Sequence, residues 1–209
     1  MRNILIAIGL YAFSAIAQAG AYDDILAAAN NDDTASVLDL LQRGMDVNTV
    51  DQTGTTLLMI ASRNANMPLL QALLARRANV NRRNQHGDTA LLMAALKPAL
   101  GATKALIDGG ADLNPVGWTP LHYAVFSGSK EIAGLLIARG AKLDSRAPNG
   151  QTALMLAVKQ GKLEFVQLMI DARADMNLAD YDGLTAMGLA KKLDHSDIVK
   201  YLRRVGALE

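Results

Sequence analysis

The chain contains no cysteine, and that single absence removes disulfides, thiol nucleophiles and thiolate metal ligands together. Aromatic residues are scarce as well: they form 4% of the 209 residues, with one tryptophan and three phenylalanines. A core with so few large rings must come from smaller side chains, and 51% of the chain is apolar, much of it Ala and Leu. Such material suits small helices packed closely. There is little excess of either charge, with 21 basic residues against 20 acidic ones, so nonspecific binding to nucleic acid is not expected.

The three histidines, His86, His122 and His195, include no i, i+3 or i, i+4 pair, so a zinc site is not expected. No serine elbow, P-loop or dinucleotide fingerprint occurs. Asp23-Asp24 and the pair Asp180 and Asp182 fit a helix start and a turn, and no closing glutamate follows at the spacing of a calcium loop. The chain therefore reads as non-enzymatic, with no catalytic residue, cofactor or metal.

The one apolar run stands at the start, where Met1-Arg2-Asn3 precedes Ile4 to Ala17 and then Ala17-Gln18-Ala19. A short basic start, an apolar middle and an Ala-x-Ala end are the anatomy of a secretory signal peptide. The run is about 14 residues, short of the roughly 20 that a bilayer-spanning helix needs. We expect a signal peptide over 1–19, cleaved after Ala19, and export to a bacterial periplasm without stable membrane insertion. An uncleaved anchor is the alternative. Loss of Arg2 leaves 20 basic and 20 acidic residues.

Beyond the start, the chain repeats itself. Glycines two residues before a recurring phrase stand at Gly54, Gly87, Gly117, Gly150 and Gly183, spaced 33, 30, 33 and 33. The clearest copy of the phrase is Thr119-Pro120-Leu121-His122-Tyr123-Ala124. This resembles the ankyrin repeat, and the resemblance covers Ala21 to Leu208. It implies an all-α ankyrin-repeat solenoid over 20–209, in which each unit is a β-turn finger followed by two antiparallel helices. Six repeats are expected, at about 21–50, 51–83, 84–115, 116–146, 147–179 and 180–209.

The residue types fit that architecture. Glycine tolerates the positive φ of a finger turn. Thr56, Thr89, Thr119, Thr152 and Thr185 stand where a helix begins and a hydroxyl can accept from free amides. Ala61, Ala94, Ala124, Ala157 and Ala190, with Ala28 in the first unit, allow close helix approach. The pairs Leu40-Leu41, Leu73-Leu74, Leu106-Ile107, Leu136-Ile137 and Met169-Ile170 are expected to face the neighbouring repeat as core. Gly44, Gly110, Gly140 and Gly206 should end second helices in the left-handed conformation, with Arg77 and Arg173 strained replacements. Asn48, Asn81, Asn114, Asp144 and Asn177 should bond loop amides.

Two irregularities interrupt the pattern. Only Pro115 and Val116 separate Asn114 from Gly117, so that finger has lost three residues and its groove wall should be lower. Pro98 stands where other repeats have Gly128 and Gly161, and should fix the turn into a second helix.

The family geometry implies a partner groove lined one, six, nine and ten places after each finger glycine. Those places gather Trp118, Tyr123 and Phe126 in one repeat, beside Met93 and Leu96 of the preceding one. Large amphipathic side chains together on a recognition face mark an interface hot spot; the competing reading is that they fill the space the short finger leaves. Arg82 and Arg83 at a finger tip, with Arg63, Lys97 and Lys159 along the groove, would add a positive rim. The expected partner is another protein held by a monomeric, non-enzymatic scaffold on its concave face. An inhibitor or immunity-type protein of the envelope is a second version; a self-associating structural protein and, remotely, an enzyme are the others.

Overall fold

The computed structural model describes residues 20–208, so the expected signal peptide over 1–19 lies outside the described residues. Among those, the chain forms α1 (20–30), α2 (Thr34–Gln42), α3 (Leu57–Arg63), α4 (Met67–Ala75), α5 (Ala90–Leu96) and α6 (Leu100–Asp108). Then follow α7 (Pro120–Ser127), α8 (Lys130–Ala138), α9 (Ala153–Lys159), α10 (Leu163–Asp171), α11 (Ala186–Lys192) and α12 (Ser196–Arg204). The described residues include no strand, only the isolated bridges Val50–Thr56 and Ala179–Thr185. None of these helices is long and apolar enough to cross a membrane.

First helices such as α3, α9 and α11 have 7 residues and second helices such as α4, α8 and α10 have 9. Helices this short are marginal alone, so capping and packing must hold them. Thr56, Thr119, Thr152 and Thr185 occupy N-caps in extended conformation, and each hydroxyl accepts from the amide three residues on. After the second helices, Gly44, Gly110, Gly140 and Gly206 adopt φ of 98°, 87°, 88° and 88°. Arg77 and Arg173 hold φ of 61° and 74° in the same role, the strained replacements the spacing predicts. Pro98 lies in the turn before α6, outside the helix. Equivalent positions at Ala65, Gly128, Gly161 and Asp194 all have positive φ, which the proline ring forbids.

The backbone groups into two compact units, one ending at Ala90 and the other beginning at Leu91. In the first, α3 packs on α4 and α2 on α4, closing a core that includes Leu57, Leu58, Leu69, Leu70 and Leu73. In the second, α7 with α8, α9 with α10 and α11 with α12 form hairpins. The same unit joins its repeats through α7–α9, α9–α11, α6–α8 and α10–α12. Its core runs through Leu121, Ile132, Leu136, Phe165 and Met169 to Ile198 and Leu202. Each such side chain contributes about 1.5–3 kcal/mol when fully buried.

Two expectations about the core need correction. Leu73, Leu106, Leu136 and Met169 are fully buried, but Leu74, Ile107, Ile137 and Ile170 are only half-buried. Adjacent helical residues point about 100° apart, so one member of each pair enters the core and the other lies at its margin. Likewise Ala61, Ala94, Ala124, Ala157 and Ala190 are fully buried while Ala28 remains half-exposed.

The loop residues link successive repeats. Asn48 Oδ1 accepts from the amide of Asn79 at 2.8 Å, Asn114 from Lys142 at 2.7 Å, Asp144 from Asp175 at 3.0 Å and Asn177 from Leu208 at 2.9 Å. The partners are 31 residues apart except for Asn114 and Lys142, which are 28 apart. That difference is the three residues missing from the short finger.

Candidate partner-binding site

The site residues expected in the second unit come from α5 and the residue after it, the finger that leads into α7, α7 itself and the end of α9. Thr119 caps α7 and Pro120 occupies its first turn, where a fixed φ and a missing amide cost nothing. His122 sits third in the helix, 1% exposed. Its Nδ1 lies 2.8 Å from Thr119 Oγ1 and 3.3 Å from the Thr119 amide, and its Nε2 lies 3.1 Å from the carbonyl oxygen of Gln151. A carbonyl needs a donor and the amide needs an acceptor, so the proton resides on Nε2 and Nδ1 accepts. Burial pushes the imidazole pKa below the ordinary value, and the bond to Gln151 offsets only part of that. His122 thus ties α7 to the next finger as a neutral structural group.

Core residues Leu121, Ala124 and Val125 take the inner side of α7. Tyr123 and Phe126, three residues apart, therefore share the outer side. Trp118 joins them from the finger: its ring centroid is 5.4 Å from that of Tyr123 and 6.2 Å from that of Phe126, the latter edge-to-face. It also lies 5.6 Å from His122. Both tilted and edge-on arrangements at these distances are favourable for aromatic pairs. The structure thus brings the three aromatics together.

The three rings differ in exposure. Trp118 and Tyr123 are half-buried against the core, whereas Phe126 is 52% exposed. On the adjoining α5, Met93 is half-buried and Leu96 is 41% exposed. Ser127 Oγ donates to the Ala95 carbonyl at 2.9 Å, which fixes the end of α7 beside the end of α5. Val116, at the tip of the shortened finger, is 90% exposed, while Pro115 is buried. Lys97 and Lys159 are exposed at the C-terminal ends of α5 and α9.

The three expected rim arginines belong to the first unit, where Arg63 and Arg83 have structural duties. Arg83 Nε donates to the Gly87 carbonyl at 3.2 Å, across its own finger. Arg146 does the same with Gly150 at 3.0 Å and adds the Ala179 carbonyl at 2.6 Å. Arg63 Nη2 donates to Asn30 Oδ1 at 2.7 Å, joining α3 to the end of α1. Arg82 is exposed. Arg63 and Arg83 are therefore at least partly committed to holding the repeats, which their type and position in the sequence do not reveal.

Sequence reasoning also missed Asp51, the bonds that Asp180 makes within its turn, and a lysine. Asp51 Oδ1 accepts from the amides of Thr53 and Thr55 and from the Thr53 hydroxyl. Asp180 Oδ1 accepts from the amides of Asp182 and Leu184. Burial pushes the Asp51 carboxyl up, but the hydrogen bonds from Thr53 and Thr55 and the Arg63 charge outweigh it and hold the group below its ordinary value. Both stand three places before a finger glycine, a register that was available as a signal. Lys162 Nζ reaches back to the carbonyls of Val125 and Phe126 at 2.8 and 3.2 Å, at the negative end of α7.

Among the described residues, no three His, Asp or Glu side chains stand together as metal ligands would. No curated protein matches the chain. A family model described as ankyrin repeats in three copies matches residues 25–115, 66–147 and 140–207. With these matches covering most of the sequence, and with capped helix hairpins in both units, the chain belongs to the ankyrin repeat family.

Proposed function

We propose that this protein is an exported, non-enzymatic scaffold of about six repeats that holds a protein partner on the face formed by the fingers and first helices. Ankyrin repeats are generally protein–protein interaction modules and typically carry no catalysis. The observation that supports this face is the half-open aromatic cluster. Trp118 and Tyr123 are anchored on the core while Phe126 and Leu96 offer apolar surface to solvent. Anchored rings flanked by accessible ones lose little side-chain entropy on binding and so suit a hot spot. Export rests on the 1–19 segment, and the bacterial periplasm is the compartment proposed. The protein is taken to act as a monomer.

Crosslinked partners recovered from the cell envelope, titrated against purified wild type and Trp118→Ala, test the reading. Loss of a hot-spot ring costs about 2 kcal/mol, roughly 30-fold in affinity. Unchanged affinity with lowered thermal stability would mean that the cluster serves only as filler. Intact-mass measurement of the exported form tests cleavage after Ala19.

A further inference from the structure

The proposed face has a charge pattern of its own in the second unit. From Leu91 onward the chain holds 12 acidic residues. None of these stands at one, six, nine or ten places after a finger glycine in α5, α7, α9, α11 or the fingers that lead into α7, α9 and α11, whereas Asp88 takes the first of those places in the finger that leads into α5. They lie instead on second helices, finger turns and returns, for example Glu131, Glu164, Asp108, Asp180 and Asp194. The same places hold three lysines: Lys97, Lys159 and Lys192, all exposed at the C-terminal ends of α5, α9 and α11. Between and beside them are Leu96, Phe126 and Leu193, each 40% exposed or more.

Resting on the binding face proposed above, we infer that its occupant is an extended acidic segment of the partner, with an apolar side chain seated on Phe126 and carboxylates reaching Lys97 and Lys159. Helix α7 stands between α5 and α9, joined to the first by the Ser127–Ala95 bond and to the second by direct packing. Neighbouring helices lie about 8–10 Å apart, and an extended chain advances about 3.3 Å per residue. One interhelical step therefore corresponds to about three residues. The matching segment places an acidic residue three positions to either side of a central apolar one, and a further acid another step along meets Lys192. Nucleic acid is disfavoured as occupant, because a phosphate backbone calls for a dense cationic stripe and here lysines alternate with large apolar groups. A lipid surface is disfavoured on the same composition.

The probe is a fluorescein-labelled ten-residue peptide with a central leucine, glutamates three places to either side and six places to one side, and Gly and Ser elsewhere. Anisotropy at low salt should show saturable binding to the mature protein, at least tenfold tighter than for the same peptide with lysines in place of glutamates, and weakening as salt rises. The triple variant Lys97→Glu, Lys159→Glu, Lys192→Glu should reverse that preference while its circular dichroism melt stays unchanged. Equal binding of the two peptides, no binding up to millimolar concentration, or tighter binding to duplex DNA or anionic vesicles overturns the inference. A partner whose binding is lost in Trp118→Ala but unaffected by the triple reversal would leave the interaction face standing and reject only its acidic occupant.

Discussion

At the residue scale, three residues turn local geometry into measurable stability. His122 is neutral in the folded chain because burial opposes its charge and its Nδ1 faces the Thr119 amide, a donor that a second proton would meet head-on. With the folded pKa below the ordinary 6.5, the unfolded chain takes up the proton first. Stability is therefore complete above that value and falls as pH drops through the interval beneath it. Urea midpoints measured between pH 7.5 and 5 should decline, and the decline should be shallower in His122→Gln, whatever the variant's stability at pH 7.5. The finger glycine Gly150 makes the opposite kind of demand. At φ 79° a Cβ would stand 2.7 Å from both the backbone nitrogen and the ring of Tyr181. Gly150→Ala should cost upward of about 2 kcal/mol, since left-handed strain alone costs about 1–2. Arg173, at φ 74° in a role that glycine fills elsewhere, should behave in reverse: Arg173→Gly relieves strain and should raise the melting temperature.

At the element scale, the problem each helix faces is its own ends. The threonine caps and the left-handed residues after second helices were legible because they recur in register: five threonines and a run of glycines at fixed spacing define both helix boundaries. The in-register alanines were legible for the same reason, and five of them are fully buried. What was not legible depends on where a long side chain points. Arg63 and Arg83 read as a positive rim in one dimension and Lys162 does not stand out at all, yet each reaches a backbone or amide oxygen, Arg63 and Lys162 in the preceding repeat. Of the candidate site, the clustering of Trp118, Tyr123 and Phe126 was readable from the groove places that the family resemblance implies, whereas the split into anchored and exposed rings required the packing. Lys162 gives the element-scale prediction. Its ammonium replaces a solvent contact for the last carbonyls of α7 and lies 5.5 Å from the Phe165 ring centroid. Lys162→Met keeps the stem but removes the donors, and should cost about 1–2 kcal/mol. Hydrogen exchange should localise the loss to the C-terminal turn of α7.

At the scale of the whole molecule, stability is distributed along the repeats. In the second unit each hairpin meets its neighbours through the α7–α9–α11 row, the α10–α12 contact and the amide bonds from Asn114, Asp144 and Asn177. Such an array behaves as a sum of repeat stabilities and nearest-neighbour couplings. A cavity in one repeat should therefore weaken that repeat and those beside it more than distant ones. Met169 tests this, because it is fully buried in α10 and belongs to the core that includes Ile198 and Leu202 of α12 and Leu136 of α8. Met169→Ala removes most of a side chain from a closed site and should cost about 2–5 kcal/mol. Amide exchange should accelerate first in α9 to α12, next in α7 and α8, and the acceleration should diminish with distance. A uniform acceleration across the second unit would instead mean that its repeats unfold as one cooperative block, with interface coupling larger than the stability of any single hairpin.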